Sequence, residues 1–315
     1  MRFPLCTSPP GSRAAWLARR RELKGTGDEV RFGGSSLADL LNIGYGSPYK
    51  LYDQCKSENE EEQKTSTAMQ QGLDLEWCAR FMYPALASYG DQGCATFIAQ
   101  DVTRQYLDDY IVSVDGLEYT EGRASVRVFE VKTLSFATST HDEVVAAWSQ
   151  FPCGIHPKYY PQLELYCRAY DCDEAVLFVQ VPNAWPALFR EATAASLARL
   201  TPNIIEEVAA TLIYRRSDSL WEYIRSRVAW LRQCLRSSTK PTRRDVIPAK
   251  RAIDYVADVY RGTVEVHAAR DIERSTATQA DDSFVVDANG FVDFGAQNGN
   301  SGPSQNGSDS PESDK

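Results

Sequence analysis

Within the stretch Val128-Phe129-Glu130-Val131-Lys132-Thr133 an acid and a base stand two residues apart among apolar neighbours. On a β-strand successive side chains alternate between faces, so Glu130 and Lys132 would project together while Val131 packs behind them. Asp115 closes an earlier β-rich run, Tyr110 to Val114, which the pattern predicts as the neighbouring strand. Two carboxylates converging with one ammonium suit metal-assisted phosphodiester cleavage. The acids would hold Mg²⁺, the metal would activate water, and Lys132 would position that water or stabilise developing charge.

Glu-x-Lys also occurs at Glu22-Leu23-Lys24 and Glu62-Gln63-Lys64, both in charged segments. Only the third copy sits in an apolar run, where half-buried charge is costly unless it serves something. On that pair alone a surface-facing strand with Glu and Lys in alternation is the simpler account, and its surroundings must tip the balance. Other chemistries lack their residues. The histidines are His141, His156 and His267, with no His-x-x-x-His pair, and neither Gly-x-Ser-x-Gly nor Gly-x-x-x-x-Gly-Lys occurs. The eight cysteines include no Cys-x-x-Cys, which reads as reduced thiols used as small core residues. The spacing of Cys153, Cys167 and Cys172 does not suit an iron–sulfur cluster.

The elements that would position these residues follow from periodicity. Helices are expected over Ala14 to Lys24, Ser36 to Leu41, Thr67 to Tyr83, Tyr159 to Tyr170 and Asn203 to Arg215. A last helix opens at the Ser219-x-x-Glu222 capping box, with the stripe Leu220, Ile224, Val228, Leu231 and Leu235. Strands are expected over Tyr110 to Val114, Val126 to Leu134 and Ala175 to Val181, the first two separated by a turn region, Gly116 to Gly122. Strands flanked by helices in this order predict an α/β fold. Residues 13–236 are the expected folded body. Residues 237–294 are a basic linker and a poorly defined C-terminal extension, and 295–315 an acidic, polar tail too poor in apolar groups to order itself.

The net charge of −9 is concentrated at the C-terminus. From Asp271 onward nine acids face only Arg274 and Lys315, leaving a net of −2 for everything before. Nucleic acid therefore remains an admissible partner, since nuclease clefts carry carboxylates that a bound cation neutralises. No apolar run approaches the roughly 18 residues of a membrane span, and Met1 to Arg13 has too short an apolar stretch for a signal peptide. The expected setting is intracellular, in the cytoplasm or nucleus of the host cell.

Over roughly residues 16 to 182 the sequence resembles the family of the phage lambda exonuclease and YqaJ-type viral recombinases, within the PD-(D/E)XK nucleases. The matching pieces come in the family's own order. They are Trp16 with Arg20, Phe32-Gly33-Gly34-Ser35, Gly46-Ser47-Pro48-Tyr49-Lys50, Gly72-Leu73-Asp74-Leu75-Glu76, Ser113-Val114-Asp115-Gly116-Leu117, Glu130-Val131-Lys132 and Tyr159-Tyr160-Pro161-Gln162-Leu163-Glu164. Val114 stands where proline is usual.

The resemblance implies a restriction-endonuclease-like core with a mixed central sheet flanked by helices. It also implies a metal-dependent deoxyribonuclease, most simply a 5′-to-3′ exonuclease on linear duplex DNA in recombination or DNA processing. Asp115, Glu130 and Lys132 would be catalytic. Glu76, Asp115, Glu130 and the Val131 carbonyl would hold Mg²⁺, with Mn²⁺ as a substitute. Arg20, Ser35, Ser113 and Gln162 would contact DNA. The implied partners are duplex DNA ends and a single-strand annealing protein, with a homo-oligomer as one arrangement. A catalytically inactive binding module on the same fold and a site-specific endonuclease are the alternatives. Several residues also have simpler readings. Glu76 could pair with Arg80 on the helix surface, Ser35 could be an N-cap, Gln162 could be an ordinary polar helix residue, and Tyr159, Tyr160 and Tyr166 could be core and rim packing or could stack on a frayed base.

Overall fold

The computed structural model describes residues 18, 20, 22–57, 67–90, 96–99, 104–120, 126–134, 141–181 and 201–264. All lie in the first of two compact units, 1–277; the second, 278–315, contains the expected tail 295–315 and falls outside the described residues. Of the first expected helix, Ala18, Arg20 and residues 22–24 are described and helical; Trp16 lies outside the described residues.

At the centre of the first unit the described residues form a five-stranded sheet in the order β1-β4-β5-β6-β7. Its strands are β1 (Thr96–Ala99), β4 (Gly116–Thr120), β5 (Arg127–Thr133), β6 (Glu174–Gln180) and β7 (Ala209–Arg215). β5 and β6 run parallel and every other neighbouring pair is antiparallel, so the sheet is mixed. A separate pair, β2 (Arg104–Tyr106) and β3 (Tyr110–Val112), leads into β4. The helices are α1 (Gly34–Leu40), α2 (Pro48–Lys56), α3 (Thr67–Gly90), α4 (His141–Trp148), α5 (Tyr160–Tyr170), α6 (Pro202–Val208), α7 (Asp218–Arg236) and α8 (Ala249–Arg261).

The period of two sorts the sheet residues onto two cores. Val128, Ala175, Leu177, Val179 and Tyr214 pack with α1, α5, α7 and α8. Phe129, Val131, Val176 and Phe178 pack with Cys78, Ala79, Met82 and Tyr83 of α3 and with Ile205 and Val208 of α6. Both faces are therefore covered, which explains why β6 reads as one uninterrupted apolar run. Each large side chain buried there contributes about 1.5–3 kcal/mol. The result is the expected mixed α/β sheet flanked by helices.

Several expected elements are corrected. Asn203 to Arg215 is not one helix: α6 ends at Val208, Ala209 is extended at φ −149°, and β7 pairs antiparallel with β6 from Ala209 to Arg215. Without β7 the buried apolar run of β6, Ala175 to Val179, would lie on an exposed edge strand, so tertiary pairing overrides an ambiguous local pattern. The strand beside β5 is β4, inside the expected turn region, while β3 pairs with β2 and bridges Phe32. Asp115 consequently precedes the neighbouring strand instead of ending it. The cap of α7 is Ser217, whose hydroxyl accepts from Leu220 N at 3.3 Å, two residues before the expected box. Glu164, wholly buried, fixes that helix start by accepting from Ser217 N at 2.8 Å and from the Tyr214 hydroxyl at 2.6 Å.

The segment after Arg236 is also more than a linker. A Thr242–Asp245 capping box shapes a short turn, and α8 buries Ala252, Val256, Ala257 and Val259. Its basic residues sit on the outer face of an amphipathic helix. The folded body thus runs at least to Val264, beyond the expected boundary at 236. No described helix is long and apolar enough to cross a membrane.

Candidate active site

Pairing between β4 and β5 stops at Gly116 opposite Phe129. Beyond that point the β4-side edge of β5 is open, and the Asp115 carboxylate fills the gap: its Oδ2 accepts from Val131 N at 2.7 Å. That bond anchors Asp115 from a short connection, Ser113–Asp115, directly beside the strand that carries Glu130 and Lys132.

Glu130 is 2% exposed, far more enclosed than a half-buried strand residue. It lies on the sheet face covered by α5, because both faces of the sheet carry helices. Its Oε1 accepts from Lys132 Nζ at 2.5 Å and from Gln162 Nε2 at 2.6 Å. Its Oε2 is buried with no hydrogen-bond partner among the described residues. Gln162 Nε2 also donates to the Tyr166 hydroxyl at 3.0 Å, and that hydroxyl donates to Ser113 O at 2.6 Å. The network therefore runs from α5 to both chain segments that carry the acids. Lys132 Nζ also stands 5.7 Å from the centroid of the Tyr159 ring.

Glu76 on α3 pairs with Arg80 one turn later, as the surface-pair reading expects. It is nonetheless part of the same electrostatic cluster. Burial, then repulsion from Asp115, push the Glu76 carboxyl up to about 7 against the attraction of Arg80 and Lys132. Burial and Asp115 push Glu130 up to about 8, with Lys132 opposing. Burial by itself would lower the Lys132 ammonium, but Glu130 and Asp115 outweigh it and hold the group above its ordinary value. The three acids repel one another, and the two cations, Arg80 and Lys132, do not fully offset that repulsion and the burial.

The expected DNA contacts divide. Gln162 and Ser113 belong to the central network. Arg20 lies against the start of α1, its Nη2 3.5 Å from where a Cβ on Gly33 would stand. A Cβ on Gly34 would stand 2.5 Å from Gln162 Cγ and 3.0 Å from its Cα, so only glycine lets α1 approach α5 there. This close approach links the Arg20 region to Gln162 and so to Glu130. Ser35 is exposed in the first turn of α1; the N-cap of that helix is Gly33, which corrects the capping reading.

Two contributors were not legible as site residues. Tyr166 is 4% exposed, as packing requires, yet its hydroxyl joins Gln162 to Ser113. The four-residue spacing from Gln162 on one helix face was the available signal. Gln180, wholly buried, donates to Leu75 O at 3.0 Å and to Thr133 Oγ1 at 2.7 Å, tying the turn before Glu76 to the strand end after Lys132. A polar residue closing an apolar strand was its only sign.

Three features fit a divalent cation: hard carboxylate donors, their mutual repulsion, and the partnerless buried Glu130 Oε2. Among the described residues no three His, Cys, Asp or Glu side chains converge into a ready-made metal cage. Glu76, Asp115 and Glu130 each engage a protein donor instead.

No family model and no curated protein matches this chain. Among solved structures it is similar to the alkaline exonuclease LHK-Exo from Laribacter hongkongensis, with 17% identity over 72% of this chain and 94% of that one and a TM-score of 0.44. LHK-Exo in complex with dAMP gives 15% identity with the same coverage and TM-score. A phage-related exonuclease from Haemophilus somnus 129PT gives 16% identity over 74% of this chain and 91% of that one, with a TM-score of 0.38.

Proposed function

We propose that this chain is a Mg²⁺-dependent deoxyribonuclease of the PD-(D/E)XK type, acting as a 5′-to-3′ exonuclease on linear duplex DNA. The observation that carries the reading is Glu130: a buried carboxylate on a central strand, beside Asp115, with one oxygen shared by Lys132 and Gln162 and the other without a partner. Burying a carboxylate is costly, and a bound cation would offset the part of that cost that Lys132 and Gln162 leave at Oε2.

Asp115, Glu130, Glu76 and the Val131 carbonyl would hold the cation. When bound, Mg²⁺ supplies Lewis-acid polarisation of the phosphate and an acidified water. The protein groups do the rest. The Val131 amide holds the Asp115 carboxylate in place, and Gln162 and Lys132 hold Glu130 Oε1, leaving Oε2 as the donor. The Lys132 ammonium, kept charged by its neighbours, orients the attacking water and stabilises negative charge on the phosphate. Ser113 and Gln162 flank the scissile phosphate, and Arg20 with Ser35 grips the phosphates nearer the terminus. The order of motifs resembling the lambda-exonuclease family supports end-directed action, a single-strand annealing partner and a homo-oligomer.

The test is digestion of linear, nicked circular and covalently closed duplex DNA in Mg²⁺. Progressive loss of the linear form with survival of closed circles is the expected outcome. Rapid cutting of closed circles would overturn the exonuclease reading.

A further inference from the structure

Next to the proposed centre the structure presents an aromatic ring and a cation that the reaction above does not use. Tyr45 is 78% exposed, the most open large hydrophobic side chain among the described residues. It sits in a loop with little freedom. Gly46 N donates to Asp39 Oδ1 at 2.7 Å, and the amides of Ile43 and Gly44 both donate to Ala38 O, at 3.0 and 3.1 Å. Asn42, in the left-handed region at φ 58°, donates from its side chain to Ile247 O at 2.9 Å. A Cβ on Gly44 would stand 2.2 Å from Asp39 Oδ1, and one on Gly46 2.8 Å from Asp39 Cγ. Glycines on both sides let the loop close on Asp39 and hold Tyr45 outward.

Lys158 lies at the hydroxyl end of that ring. Its ammonium is 5.1 Å from the Tyr45 centroid and 4.9 Å from the Tyr159 centroid, and it donates to the Tyr45 hydroxyl at 3.3 Å. The opposing Tyr159 ring also carries Lys132 Nζ at 5.7 Å. Tyr45, Lys158, Tyr159 and Lys132 thus form an alternating row of rings and ammoniums that ends at the Glu130 carboxylate. Lys158 has no carboxylate partner among the described residues, and its contacts are aromatic. Its neighbour His156, whose Nδ1 accepts from Lys158 N at 3.2 Å, is neutral, since burial pushes it down to about 3. A cation held in place without an anion, beside a fixed and exposed ring, is suited to one nucleotide: phosphate on the ammonium, base face on the ring.

We infer that Tyr45 and Lys158 form a subsite for an unpaired nucleotide at the DNA end, with the base stacked on Tyr45 and its phosphate on Lys158. The inference rests on the nuclease reading and adds to it a preference for frayed over fully paired ends. The subsite engages a nucleotide beyond the cleaved bond, so it acts on binding and not on the chemical step.

The test is fluorescence anisotropy with Ca²⁺ in place of Mg²⁺, using two labelled duplexes of equal length, one fully paired and one ending in mismatched pairs. The wild type should bind the frayed duplex more tightly. Tyr45→Ala should weaken frayed-end binding about tenfold, within the range for losing one stacked base, and bring the two duplexes level. Tyr45→Phe, which keeps the ring, should retain the preference. Lys158→Gln should weaken binding and flatten its dependence on salt. Tyr45→Ala binding both duplexes as the wild type does would overturn the subsite while leaving the nuclease reading intact. A wild type that binds neither duplex would overturn the nuclease reading and the subsite with it.

Discussion

Replacing Glu130 by glutamine should change how the metal-free protein's stability depends on pH. In the folded protein burial and Asp115 raise the Glu130 carboxyl from 4.5 to about 8. A group whose folded pKa lies above its unfolded value contributes stability in full below the unfolded pKa and loses it as pH rises through the folded one. The window is therefore pH 4.5 to 8. At about 1.4 kcal/mol per unit the loss across it is on the order of 4–5 kcal/mol. Glutamine has the shape of the protonated carboxyl and does not titrate. Below about pH 4.5 the variant and the wild type should be similar in stability, the gap should reach about 2 kcal/mol by pH 6, and by pH 8.5 the variant should be the more stable by several kcal/mol. Glu76, raised to about 7, steepens both profiles and largely cancels in the comparison. Urea unfolding in EDTA at intervals from pH 5 to 8.5 measures the difference. Parallel profiles for the two proteins would refute the reasoning, because they would show that Glu130 is ionised without penalty. Adding Mg²⁺ should recover stability for the wild type at high pH and do much less for the variant.

Asp115→Asn should weaken Mn²⁺ binding by isothermal titration at least tenfold, because it removes one anionic donor from the set. Tyr166→Phe deletes the hydroxyl that joins Gln162 to Ser113 O. It should cost about 1 kcal/mol in urea unfolding and lower kcat more than KM, whereas equal changes in both would point to a general loss of structure. Val256→Asp should destabilise the protein by about 3 kcal/mol or more by thermal unfolding, since that side chain is wholly buried in α8. A neutral result would show that the body ends before this helix.

How far the sequence reached depended on the range of the interactions involved. β6 and α5 were readable because the apolar run of one and the helical period of the other are local features. The pairing of Glu130 with Lys132 followed from the period of two. The location of Asp115 did not, because whether a short β-rich run pairs with β5 or with β2 is decided by partners far along the chain. β7 was hidden for the same reason: Ala209 to Arg215 suits a helix or a strand until β6 presents an open edge. α8 was masked by its composition. Lys250 and Arg251 suggested a linker, while its apolar stripe carries the packing. At the site, residue types and spacing pointed to Glu130 and Lys132, and the family resemblance to Gln162, but the full burial of Glu130 required knowing that both faces of the sheet are covered. The hydroxyl of Tyr166 and the amide of Gln180 act through backbone carbonyls, which leave no mark in the pattern of side chains.

The central claim is that Asp115, Glu130 and Lys132 make a metal-dependent centre for cutting DNA. Its most direct test is the release of acid-soluble nucleotides from linear duplex DNA by the wild type, Glu130→Gln and Lys132→Met, each with Mg²⁺ and with EDTA. The account predicts release by the wild type in Mg²⁺ alone, and a loss of at least a hundredfold in both variants while each unfolds cooperatively. Undiminished release in EDTA, or either variant digesting DNA at the wild-type rate, would contradict it.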